Sequence, residues 1–128
     1  MSFEKEFEKW LEKSLKKSIP SEVVAFSFNL FEPALEEGVT FGIELIGASE
    51  FYVNDENWAC EEIWQPKKRS IFIPTEYSGE DWEECLKKLI HFITNLLSSN
   101  KAHIEKLKSK KGIGIGFVDG DLEIIWQP

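Results

Sequence analysis

Residues 41–64 read FGIELIGASEFYVNDENWACEEIW, from Phe41 to Trp64. The first third alternates as a strand does, with Phe41, Ile43 and Leu45 on one side and Gly42 and Glu44 on the other. Glu44 is therefore expected to project from the face away from the core. Gly47-Ala-Ser49 breaks the run, and Phe51-Tyr-Val53 reads as a short further strand. Residues 54–66 admit two readings. Asp55 suits the cap of a short helix, while Trp58, Cys60, Glu62 and Trp64 also alternate. Irregular structure leading into an edge strand is expected.

Upstream, Glu22–Phe31 places Val24, Phe26, Phe28 and Leu30 on one face. Together with Val39–Leu45 it forms a strand pair, joined through Glu32-Pro-Ala-Leu-Glu-Glu-Gly38, whose Pro and Gly suit a hairpin connection. Before it, Phe3, Phe7, Trp10, Leu11 and Leu15 repeat at helical spacing, with lysines near the end of the stripe and Pro20 stopping it. Downstream, Lys67-Lys68-Arg69 is a basic turn and Ser70–Ile73 a short strand ended by Pro74. A second helix follows, with Ser78 as N-cap and Asp81 completing an approximate capping box. Its buried stripe is Trp82, Cys85, Leu86, Leu89, Ile93, Leu96 and Leu97. Ser98-Ser-Asn100 interrupts it before a polar helix at Lys101–Lys110. Gly112–Val118 and Asp121–Trp126 flank Asp119-Gly120, a dipeptide suited to a type I′ hairpin turn.

Helices at separated places and strands joined mostly by hairpins predict an α+β fold. The expected sheet is mostly antiparallel, with five to six strands. An N-terminal helix and a central amphipathic helix cover it, and a C-terminal β-hairpin ends it. The 128 residues, 42% of them hydrophobic, with ten Phe and five Trp, suit a single domain spanning 1–128. They exclude the disordered class.

The net charge is −8 and unevenly placed. Residues 1–66 carry 14 acids against 5 bases, and residues 67–128 carry 9 against 10. From Ser18 to Pro66 there is no Lys or Arg, only ten carboxylates: Glu22, Glu32, Glu36, Glu37, Glu44, Glu50, Asp55, Glu56, Glu61 and Glu62. Such a field repels nucleic acid and anionic membranes and steers basic partners inward. No signal peptide or membrane-length apolar run is visible, and the two cysteines show no metal spacing, so a reducing cytoplasm is expected.

Sites of chemistry are sparse. Gly112-Ile-Gly-Ile-Gly116 lacks phosphate-loop spacing and leads into a strand. Its three glycines share one sheet face, which opens that face to a helix or an aromatic ring. Asp119-Gly-Asp121-Leu-Glu123 has its Gly misplaced for a calcium loop. His91 adjoins a buried stripe and His103 lies on the next helix. Paired carboxylates leave a small hydrolase as a third reading, but no catalytic residue, cofactor or metal site is assigned.

The segments Asp55-Glu-Asn-Trp-Ala-Cys-Glu-Glu-Ile-Trp64 and Gly116-Phe-Val-Asp-Gly-Asp-Leu-Glu-Ile-Ile-Trp126, with the size and acidity of the chain, resemble the small acidic immunity proteins of bacterial toxin systems. Those are compact α+β domains that bind and block a cognate toxin, often a basic nuclease. The resemblance implies a non-enzymatic inhibitor with a basic protein partner. On that reading Glu44, Glu50, Asp55, Glu56, Glu61 and Glu62 pair with the toxin's Lys or Arg, and Tyr52 and Trp58 anchor the contact. The alternative is a cytosolic adaptor or homodimeric regulatory protein that uses an apolar edge.

Overall fold

The protein is described from a computed structural model covering residues 2–34 and 37–128; Glu36, counted above among the carboxylates, lies outside them. The architecture is α+β. Helix α1 spans Phe3–Ser14, β1 Ala25–Phe31 and β2 Val39–Ala48. A 3-10 turn at Glu56–Cys60 leads to β3, Glu62–Trp64, and β4, Ser70–Pro74. Short α2 (Thr75–Ser78), α3 (Trp82–Leu97) and α4 (Ala102–Leu107) precede β5 (Ile113–Phe117) and β6 (Leu122–Trp126). The six-stranded sheet has the order β3-β2-β1-β5-β6, and β4 joins the same edge of β2 as β3, further along the strand. Every pairing is antiparallel except β1 with β5, which is parallel. Nothing local in the sequence signals that central parallel pair.

One sheet face carries the main core. Phe26, Phe28 and Leu30 of β1, Phe41, Ile43 and Leu45 of β2, Ile71 and Ile73 of β4, and Ile113 and Ile115 of β5 lie under the helices. Against them pack Phe7, Trp10 and Leu11 of α1 and Cys85, Leu89 and Ile93 of α3. Burying each of the large side chains contributes about 1.5–3 kcal/mol. The strand phase begins later than expected: Val23, not Val24, joins this core, and β1 starts at Ala25.

Ser2 caps α1, accepting from the Lys5 N–H. The turn after α1 is held by a distant donor, since Lys106 Nζ reaches the backbone oxygens of Leu15 and Lys17. Asp81 caps α3 by accepting from the Glu84 N–H at 3.1 Å. Ser78 therefore ends α2 and does not cap α3, because Gly79, with φ +74°, separates the two helices. Three further expectations are corrected. Residues 51–53 form no strand. Trp82 is 52% exposed at the first turn of α3, edge-on to Phe117, rather than in the buried stripe. Asp119 and Gly120 both keep negative φ, so the hairpin turns through a Phe117–Gly120 bond without the type I′ geometry. The fourth helix is also shorter than residues 101–110. No helix among the described residues is long and apolar enough to cross a membrane.

Candidate functional site

The acidic aromatic stretch lies over the second face of the sheet. There the glycines of β5 leave a strip without side chains. A Cβ at Gly112 would stand 2.4 Å from the Phe51 ring, and one at Gly114 would stand 3.1 Å from Trp58. Phe51 and Trp58 pack edge-on, with centroids 5.0 Å apart, over Ala25, Ile46 and Ala48. Trp58, expected as a partner anchor, is 1% exposed, so its ring offers almost no surface. It is the bolt that fastens residues 51–60 to the sheet. Its indole N–H has no acceptor among the described residues, although Trp58 borders a 320 Å³ cleft shared with Val53, Asp55, Glu56 and Leu122.

Further along the same face runs a polar network. Arg69, directly after the lysine pair of the basic turn, folds inward. Its Nε and Nη2 donate to Glu44 at 3.3 and 3.0 Å, Nη2 also to Glu62 at 2.8 Å, and Nη1 to Gln65 at 2.7 Å and to Glu62. Asn29 donates to Glu44 at 3.1 Å, and Ser27 donates to Asn29 at 2.8 Å. Only the planar, five-donor guanidinium can serve two carboxylates and an amide together. The bond to Glu62, joined by Glu44, raises the Arg69 pKa above its already high value, against the opposing effect of partial burial. Glu44 and Glu62 are therefore engaged internally. Glu44 does face away from the core, as its alternation predicts, but its side chain is only 15% exposed.

The remaining expected site residues lie on the surface. Glu50, Tyr52, Asp55, Glu56 and Glu61 are all exposed, and none of the four carboxylates pairs with a cation among the described residues. Asp55 caps the 3-10 turn through the Asn57 N–H, and Glu56 accepts the Leu122 N–H at 3.1 Å. Two apolar residues that sequence reasoning left out join them: Val53 is 59% exposed and Ile63 47%, beside Tyr52 at 53%. Ile63 lies at a register shift: Trp64 pairs with Gly47 and Glu62 with the adjacent Ala48, so β3 carries one residue more than β2 there, which alternation alone does not signal.

His91 is exposed on α3 with its ring against Asn95, not at a core boundary, and His103 is buried with Nδ1 4.0 Å from Glu12. Cys60 is exposed, and Cys85 is buried with its thiol pushed up to about 12. Among the described residues no group of three or more His, Cys, Asp or Glu is placed to hold a metal ion. Comparison with protein-family models, with curated proteins and with solved structures finds no match in any of the three.

Proposed function

We propose that the chain is a non-enzymatic binding protein that holds a basic protein partner through residues 50–63, as an immunity or inhibitor protein holds a cognate toxin such as a basic nuclease. The observation that carries this reading is one surface segment where Tyr52, Val53 and Ile63 are exposed among the unpaired carboxylates Glu50, Asp55 and Glu61. Apolar centres ringed by charge suit a specific contact, and the charges raise the association rate. The segment is also pre-shaped, since Phe51 and Trp58 tie it to the sheet, which lowers the ordering cost of binding. Glu44 and Glu62, expected on this surface as well, are ion-paired with Arg69.

The test is capture from a lysate of the source organism at low and moderate salt, with identification by mass spectrometry. The Glu50→Gln/Asp55→Asn/Glu61→Gln variant is compared with wild type and with a Glu76→Gln/Glu80→Gln control. A basic protein held by wild type and control but lost by the triple variant supports the reading, with affinity falling as salt screens the charges. Equal capture by all three, or self-association alone, overturns it and leaves the homodimeric adaptor.

A further inference from the structure

Outside residues 50–63 lies a groove of about 990 Å³ between α1 and the connection from β3 to β4. Lys9, Lys13, Lys16, Lys17, Lys67 and Lys68 line it, against one carboxylate, Glu6. All six lysines are exposed, and none is ion-paired among the described residues. In a chain with 23 acids and 15 bases this is a local inversion of charge. The floor is apolar, made of Trp10, Trp64, Pro66 and Ile71.

The walls are fixed. Trp10 donates its indole N–H to the Lys68 carbonyl at 2.7 Å, which pins the β3–β4 connection to α1. Lys106 holds the carbonyls of the turn that carries Lys16 and Lys17. The positive charges therefore stand on an ordered frame, where they attract an anion without ordering a loop first.

We propose that this groove binds a short extended acidic peptide segment that carries apolar side chains. Lys9 and Lys13 are four residues apart on α1, a rise of about 6 Å. Same-side residues of an extended peptide repeat every 6–7 Å or so, which matches that spacing. The apolar floor takes the intervening side chains. A single-stranded nucleic acid fits less well. Trp10 is only 5% exposed, so it presents no free face for base stacking. A long polyanion would also run beyond the lysines into the field of a chain with net charge −8. A membrane surface fits less well again, because the apolar face of α1 is already buried in the core.

The probe is a dye-labelled peptide of about eight residues alternating glutamate with leucine, long enough at roughly 3.3 Å per residue to pass all six lysines. Binding is read by fluorescence anisotropy and by the indole N–H resonances of the full chain. The expected result is saturable binding that shifts the Trp10 and Trp64 indole signals and leaves Trp82 in place. Lys13→Gln/Lys68→Gln is expected to weaken it about tenfold. Melting temperatures of the variants exclude misfolding as the cause. Glu50→Gln/Asp55→Asn/Glu61→Gln keeps full peptide binding, so failure at residues 50–63 and failure at the groove are told apart. The proposal is overturned by no binding at millimolar peptide or by equal binding of the lysine variant. It is also overturned by equal binding of a glutamine-for-glutamate peptide. Lysine-dependent binding of an oligothymidylate or of phosphatidylglycerol vesicles, without binding of the peptide, overturns it as well.

Discussion

Gly112→Ala isolates the contact that seats residues 51–60 on the sheet. The added methyl would lie 2.4 Å from two carbons of the Phe51 ring, where ordinary contact begins at 3.4 Å. The ring must retreat by about 1 Å, but it is packed edge-on against fully buried Trp58. Overpacking of this kind costs about 1–3 kcal/mol. Gly112 has no positive φ, so the penalty is steric and not a backbone effect. Gly120→Ala is the internal reference: its methyl meets nothing closer than 3.6 Å, and its φ is also negative. That change is expected to be neutral or to stabilise by about 0.4–1 kcal/mol through the unfolded chain. Urea unfolding of both variants reads the difference, which in melting temperature is about 3–5 °C per kcal/mol for a domain of this size. A Phe51→Leu background frees the space, so the double variant should lose about 1 kcal/mol less than the sum of the singles. Equal stability of the two alanine variants, or strict additivity with Phe51→Leu, would refute the proposed seat.

Arg69→Met leaves Glu44 and Glu62 without their cation. With the arginine side chain 35% exposed, solvent screening limits the expected loss to about 1–2 kcal/mol. Adding Glu44→Gln should recover part of it in urea unfolding, and no recovery would mean that Glu44 is not held by charge. Alkaline pH should destabilise the fold through Cys85. Burial raises its thiol from 9.0 to about 12, with Lys88 acting the other way, so between those values the unfolded chain loses a proton that the folded chain keeps. Stability therefore falls with rising pH, by up to about 1.4 kcal/mol per pH unit. Tyr77, raised by burial and then by its bond to Glu4, acts in the same direction above its ordinary value of 10.0. Cys85→Ala should flatten the slope of melting temperature against pH, and an unchanged slope would count against the buried thiol as its source.

Much of the fold was legible because the signals were periodic. The stripe of Phe3, Phe7, Trp10 and Leu11 and the alternation of Phe41, Ile43 and Leu45 each encode one buried face, and both faces meet in one core. What failed was non-local. The sequence predicts that the glycine strip admits a helix or an aromatic ring and, separately, that Trp58 anchors a partner, yet Trp58 is one of the rings seated on the strip. The two segments lie more than fifty residues apart in sequence, and neither carries a local sign of the other. The same limit hid the parallel pairing of β1 with β5, whose strands are separated by most of the chain. At the site, Glu44 and Glu62 look like Glu50 and Glu61 in sequence. Only the inward turn of Arg69 separates the engaged pair from the free one.

Net charge and local charge act at different ranges. A value of −8 describes the far field, which decides what approaches the molecule. Contact is decided within about 8 Å, the Debye length at physiological salt. At that range the basic turn divides in two: Arg69 neutralises carboxylates on the second sheet face, while Lys67 and Lys68 face the groove with the lysines of α1. One consequence follows for any partner. On the proposed reading, a basic protein is drawn by the far field to residues 50–63, and a long polyanion is repelled before it reaches the groove. The groove therefore selects short anionic segments, and raising the salt should act differently at the two surfaces. Approach of a basic protein to residues 50–63 should slow. The groove should lose contact energy, but the far-field repulsion opposing its ligand should weaken as well. The salt dependence of peptide binding is then expected to be shallower than that of the basic partner, and a steeper one would mean that the groove does not feel the acidic remainder of the chain.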